Sequence, residues 1–273
     1  PDIDAVICTA ADPYHEQFVL AAINAGKHVF CEKPLAPKAD ACKRIVEAEI
    51  KAGKQFVQVG FMRRYDSGYK QLKEAIESKK YGEPLLLHCA HRNADVLQDW
   101  DNSTAVEGSM VHEMDVLRWL LGENYKTAEV RYAKDTRRTT EGVHDPQIMI
   151  LTTESGVRID VESFVHDGNC YDVRCEVVCE DAILNLPKPA TIEVLANTMR
   201  GNAVDADWST RFVDAYNTEF QAWINGCKEG RVDGPNAWDG YCCQVVAAAA
   251  SKARDTQTIV DVVYDEMPDL YKK

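Results

Sequence analysis

Four short segments carry residue types that could handle a hydroxyl: Cys31-Glu32-Lys33-Pro34-Leu35-Ala36, Gly60-Phe61-Met62-Arg63-Arg64-Tyr65, His91-Arg92-Asn93 and Val111-His112-Glu113-Met114-Asp115. Proline fixes its own φ and restricts the residue before it, so a Lys-Pro step holds the Lys33 side chain in a defined direction. A lysine so held can be a catalytic or substrate-orienting cation. Histidine titrates near neutrality and can take the proton of a carbinol as hydride leaves. Arg63, Asn93 and their neighbours offer the donors and acceptors that a polyol needs at fixed geometry. Each residue also has an ordinary reading. Lys33 suits a surface turn, Arg63 and Arg64 a solvated basic face, His91 a satisfied strand histidine and His112 the first turn of a helix. Only convergence in space separates the two readings.

The elements that must position these segments are legible from periodicity. Ala5-Val6-Ile7-Cys8 is a short apolar run, and Asp12-Pro13 supplies an N-cap with proline at the first helical position of a helix running to Gly26. The strand Val29-Phe30-Cys31, a helix over 38–53 and the strand Phe56-Val57-Gln58-Val59-Gly60 follow. Strand and helix alternating with short turns predict a parallel sheet with right-handed crossovers, the second half of a doubly wound domain. Its ligands belong outside the carboxyl ends of the strands, where Lys33 and Gly60 fall.

After Asp66 the pattern changes. A helix over 66–80 precedes the strand Leu85 to His91, and a helix over 110–121 is closed by Gly122. Strands over 128–135, 146–153, 157–165, 172–179 and 182–186 then follow without intervening helices, Glu154-Ser155-Gly156 turning between two of them. Helices over 208–228 and 236–254 and a strand from Thr258 to Val263 end the chain. Consecutive strands imply an antiparallel or mixed sheet with one face on helices. The fold class is therefore α/β: a partial parallel-sheet domain over 1–60, then an α+β domain over 61–273 that carries the substrate site, its last helices packing back on the first.

Composition excludes several function classes. The net charge of −13 argues against a nucleic-acid partner, which needs a basic footprint. No apolar run approaches the length of a membrane span, and the start Pro1-Asp2-Ile3-Asp4 lacks a basic-then-apolar leader. The ten cysteines are dispersed without a C-x-x-C pair, which predicts reduced thiols in a cytoplasmic protein and no metal set.

The segments AGKHVFCEKPLA, QVGFMRRYD, HCAHRN and VHEMDVLRWLLG, in this order and spacing, resemble the Gfo/Idh/MocA oxidoreductases, and within them the inositol-oxidising members. The resemblance spans essentially the whole chain. It implies a Rossmann domain, then an open, mostly antiparallel sheet whose face covers the nicotinamide. It also implies NAD as cofactor, with NADP left open, a cyclitol or sugar as substrate, and a homotetramer. By resemblance Lys33 bonds the reacting hydroxyl, His112 removes its proton, and Glu32, Lys33 and Pro34 form the cofactor-side turn. Met62, Arg63, His91, Asn93 and Tyr171 fall on the substrate pocket, with Asp239 at its edge. The activity so implied is oxidation of a ring hydroxyl of myo-inositol or a related cyclitol to the ketone. A relative acting on another sugar or glycoside, or a sugar binder of impaired catalysis, is the alternative.

Two departures from that pattern stand out. No two of the fifteen glycines lie two residues apart, so the G-x-G-x-x-G loop that cradles a pyrophosphate is absent. By comparison with the family, roughly 60 residues, two strands and their helices, are expected in front of Pro1. The second departure is Gly108, which stands four residues before His112 where the inositol-oxidising members carry an aspartate. Such a carboxylate holds the imidazole in its working tautomer. Glu107, Asp115, water or a substrate hydroxyl is expected to replace it.

Overall fold

The computed structural model describes residues 2–95 and 100–272. The first sheet has three parallel strands in the order β1 (Ala5–Cys8), β2 (His28–Glu32) and β3 (Val57–Gly60). In register, Val6 faces Val29 and Cys8 faces Cys31, while Val29 faces Val57 and Glu32 faces Gly60. Its crossovers are α1 (His15–Asn24) and α2 (Ala39–Ala52), which closes on Gly53 at φ 68°. The central strand is sealed on both faces, Val29, Phe30 and Cys31 having no exposure, as a parallel sheet requires. β1 is an edge strand and leaves Ile7 52% exposed.

The chain then forms α3 (Ser67–Glu77), whose N-terminal amides are capped by Asp66, and crosses to β4 (Pro84–Arg92). A short helix α4 (Asn102–Thr104) runs through a π-helical turn, Ala105–Ser109, into α5 (Val111–Leu121). The strands β5 (Tyr125–Tyr132), β6 (Gln147–Thr153), β7 (Arg158–Phe164), β8 (Asp172–Cys179) and β9 (Ile183–Asn185) follow. They build a seven-stranded sheet with β4 and the late β12 (Val260–Asp261), in the order β12-β5-β6-β7-β4-β8-β9. Every pair is antiparallel except β4 with β7. Alternation sets the inner face: Met149, Leu151, Ile159, Val161, Cys175 and Val177 point into one apolar core shared with α5, α2 and the first sheet.

The end of the chain differs most from expectation. β10 (Glu193–Ala196) and β11 (Met199–Asn202) form a separate hairpin whose residues are all exposed. With no buried face it leaves no alternating pattern to read, and Asn197 and Thr198, both at positive φ, make its turn. The expected helix over 208–228 breaks at Phe212 into α6 (Trp208–Arg211) and α7 (Val213–Glu229). α8 (Ala237–Thr256) starts with a capping box between Asn236 and Asp239 and packs against α2 and β5. At the other end, Asp12 does not cap α1. A 3₁₀ turn, Asp12–Tyr14, begins at Ala11, and α1 starts only at His15.

Candidate active site

The carboxyl ends of β2 and β3, the end of β4 and the start of α5 meet around one cavity of about 680 Å³. Glu32, Lys33, Met62, His91, Asn93, His112 and Tyr171 all line it. The convergence on which the chemical reading of these side chains depends is therefore present. Lys33 reaches across from the β2 turn, and its Nζ donates to the Gly108 carbonyl at 3.1 Å. Burial lowers the Lys33 ammonium below its ordinary value, partly opposed by Asp12 and Glu32. Burial also raises the Glu32 carboxyl, which accepts from the Lys33 amide at 3.3 Å. Glycine at position 60 permits this approach, because a Cβ there would stand 3.0 Å from Glu32 Oε2.

His112 sits one residue into α5, and its Nδ1 is buried with no partner. Burial, then the charges of Lys33 and Arg63 and the His91 ring, lower its imidazole well below the ordinary 6.5. At neutral pH the ring is uncharged and able to accept a proton. Neither neighbouring carboxylate serves it. Glu107 accepts from Ser251 Oγ at 2.7 Å, and Asp115 is held bidentately by Arg64. Both expectations for a replacement carboxylate are therefore corrected: tertiary partners turn each side chain away.

His91 lies against His112, ring centroids 6.2 Å apart. Its Nδ1 is 3.1 Å from Glu113 Oε2 and 3.3 Å from Arg63 Nη2. Burial outweighs the Glu113 carboxylate and lowers the His91 pKa. Burial pushes Glu113 upward, but Arg63 and His91 overcome it and hold the carboxyl at about 2. Arg63, itself 1% exposed, is not on the cavity wall. It pairs with Glu113 and donates to the Tyr171 hydroxyl at 3.4 Å, so it braces two lining residues from behind. Pro34 is likewise off the wall, its carbonyl 2.7 Å from His15 Nδ1. Asp239 is not at the pocket edge: it joins Arg64 and Arg118 and caps α8.

Sequence reasoning missed Ser109, Trp100, Trp208 and Tyr216 on the wall. The two tryptophans and Tyr216 come from irregular or late segments that no local motif marks. Trp100 has a definite relation to Gly108, since a Cβ at that glycine would meet Thr104 Cγ2 at 3.1 Å and Trp100 Cη2 at 3.9 Å. Among the described residues, Cys8, His15 and Cys31 bring donor atoms within 4.8 Å of one another. Both ring nitrogens of His15 already face carbonyl oxygens, at 2.7 and 2.8 Å.

A lysine and a neutral histidine facing one cavity at the carboxyl edge of a parallel sheet fit the reacting end of a nicotinamide dinucleotide. The unpartnered His112 Nδ1 and the glycine-permitted approach at Gly60 belong to the same edge. Fold and site together define a dinucleotide-dependent oxidoreductase. Comparison with known proteins agrees. Residues 1–61 match the oxidoreductase family's NAD-binding Rossmann fold, and residues 73–262 match its C-terminal alpha/beta domain, Gfo/Idh/MocA in both cases. The chain is 47% identical over 272 residues to an inositol 2-dehydrogenase of Klebsiella pneumoniae, covering 100% of this chain and 81% of the relative. It is 48% identical over 271 residues to one from Burkholderia cenocepacia, covering 99% and 80%. A crystal structure of myo-inositol dehydrogenase from Lactobacillus casei, in complex with NAD(H) and myo-inositol, superposes with a TM-score of 0.96 at 37% identity. That match covers 100% of this chain and 81% of the other. The chain belongs to the Gfo/Idh/MocA family of NAD-dependent oxidoreductases.

Proposed function

We propose that this protein oxidises a ring hydroxyl of myo-inositol or a close cyclitol to the ketone, with NAD as hydride acceptor. The observation that carries the reading is the pairing, on one cavity wall, of Lys33 with a neutral, partner-free His112. Bound NAD would supply a nicotinamide carbon that takes hydride from the carbinol carbon. Lys33 Nζ donates to the reacting oxygen and stabilises the negative charge that grows there. His112 Nδ1 is sealed away, so Nε2 is the nitrogen left to take the hydroxyl proton. His91, Asn93 and Tyr171 orient the remaining hydroxyls, Met62 packs on the ring, and Arg63 and Glu113 fix His91 from behind. Glu32 and Pro34 shape the cofactor-side turn.

In this reading residues 1–60 serve the dinucleotide and residues 61–273 the substrate and the contact between subunits. The assembly is a homotetramer, supported by the exposed β10–β11 hairpin standing beside a groove of about 1090 Å³ on the outer face of the large sheet. The compartment is the cytoplasm, supported by ten cysteines that are all free. No helix among the described residues is long and apolar enough to cross a membrane. A second substrate class, a larger sugar or glycoside, is favoured by the aromatic walls of Trp100 and Trp208 around a wide cavity. Initial rates with NAD against a panel of cyclitols, hexoses and glycosides, read as NADH absorbance, separate the two. Turnover of none of them overturns the proposal.

A further inference from the structure

His15 opens α1 on the opposite side of the Lys33 turn from the cavity and is only 1% exposed. Its Nδ1 lies 2.7 Å from the Pro34 carbonyl and its Nε2 2.8 Å from the Ala10 carbonyl. Ala10 follows β1 and Pro34 follows β2, so one ring spans the turns that leave two neighbouring strands at their carboxyl ends. Carbonyl oxygens only accept, so the ring nitrogen that carries hydrogen donates to the carbonyl it faces, and the ring stands between the two turns. Elsewhere around the turn the Lys33 amide donates to Glu32 Oε2 at 3.3 Å, and two thiols donate weakly, Cys31 Sγ to the Glu32 carbonyl at 3.3 Å and Cys42 Sγ to the Ala36 carbonyl at 3.7 Å.

We infer that His15 is a positioning residue for the reaction, clasping the two turns so that Lys33 is presented to the reacting oxygen. The inference rests on the reading of Lys33 as the catalytic cation. Lys33 crosses the cavity on a flexible four-carbon stem, and its only fixed root is the backbone next to Pro34. The Pro34 carbonyl is the atom His15 holds. Without the clasp, the Pro34 and Ala10 carbonyls lose the ring that stands between them and the turn relaxes, and the ammonium no longer starts from one place.

The test uses His15→Phe, which keeps an aromatic ring but removes both ring nitrogens, and His15→Gln, which keeps a side-chain amide donor. Each is made alone and in a Lys33→Met background, with folding checked by thermal unfolding and turnover measured at saturating NAD and inositol. Misplacing a catalytic group by an ångström costs up to about 10²-fold, so His15→Phe is expected to lower kcat by roughly 10- to 100-fold. The KM for inositol should move far less, and His15→Gln should recover part of the loss. In the Lys33→Met background the same change should lower kcat by less than about twofold, because residues that act as a unit are not additive. Equal fold losses in both backgrounds, or unchanged kcat in His15→Phe beside a crippled Lys33→Met, overturn the inference. Full activity in Lys33→Met instead overturns the reading of Lys33, and the inference with it. Should His15→Phe not fold, His15→Gln in the two backgrounds decides by the same comparison.

Discussion

At the scale of single residues, the site turns on an imidazole that is neutral yet unsupported. A base whose pKa is lowered works when unprotonated, so activity is lost only as pH falls through the lowered value. The acid limb of kcat/KM should therefore lie well below the ordinary 6.5 of histidine. In the proposed mechanism Lys33 acts as a cation, and burial lowers it too, so the alkaline limb should fall below its ordinary 10.5 as pH rises. A pH–rate profile with its acid limb at 6.5 or above would remove His112 as the base. Position 108 gives a sharper test. Gly108→Asp places a carboxylate one helical turn before His112, at the expense of pressing on the Thr104 methyl 3.1 Å from the new Cβ. The expected result is a higher kcat and an acid limb moved upward, since a nearby carboxylate favours the imidazolium. A limb that does not move would show that the carboxylate fails to reach Nδ1. Lys33, His91 and His112 were legible in the sequence because their residue types announce proton and charge chemistry. The fate of Glu107, Asp115 and Asp239 was not, because their partners Ser251, Arg64 and Arg118 lie 144, 51 and 121 residues away along the chain.

At the scale of elements, α7 carries an acid on its buried stripe, in line with Ala215 and Trp223. Glu219 has no exposure, and neither carboxylate oxygen has a partner. Burial, with Glu32 and Asp115 nearby, raises its pKa to about 9. A carboxyl raised above its unfolded value keeps its proton in the folded state. Its contribution is best at low pH and is lost as pH climbs from the unfolded value near 4.5 toward 9. Glu219→Gln is neutral at every pH, so its stability relative to the parent should improve with pH. The improvement should be on the order of 1 kcal/mol per unit between about pH 5 and pH 8. Urea unfolding at several pH values measures it, and a difference that stays flat would mean Glu219 is ionised or solvated. Elements with one buried stripe, such as α2, α3, β6 and β7, were legible within a few residues. The β10–β11 hairpin and the break at Phe212 were not, since one has no buried face and the other has no proline or glycine to mark it.

At the scale of the whole molecule, the order of elements could be read but not the order of strands. The strand–helix alternation over the first 60 residues predicts the β1-β2-β3 sheet directly. In the second sheet β4 enters between β7 and β8, parallel to one and antiparallel to the other, and only long-range pairing fixes that. This arrangement puts the end of β4, with His91 and Asn93, beside the turn that carries Lys33. It also leaves the outer sheet face and the hairpin without cover. Ile192, Leu195, Met199 and Val204 are 77%, 68%, 73% and 68% exposed. Leu195 pairs with Arg200 and Ala196 with Met199 across the hairpin, so each of its two faces exposes a large apolar side chain of the kind that marks a protein interface. A closed homo-oligomer buries such an arm against a second copy of the same surface. The variant Leu195→Glu with Met199→Glu places like charges on both sides of every symmetric contact through the arm. If the proposed homotetramer assembles through the arm, light scattering should then report dimers or monomers, with the thermal transition lowered as subunit contacts are lost. No residue of the hairpin lines the cavity, so inositol turnover per subunit should fall less than the assembly does. An unchanged mass in the double variant would overturn the assignment of the arm to the subunit contact.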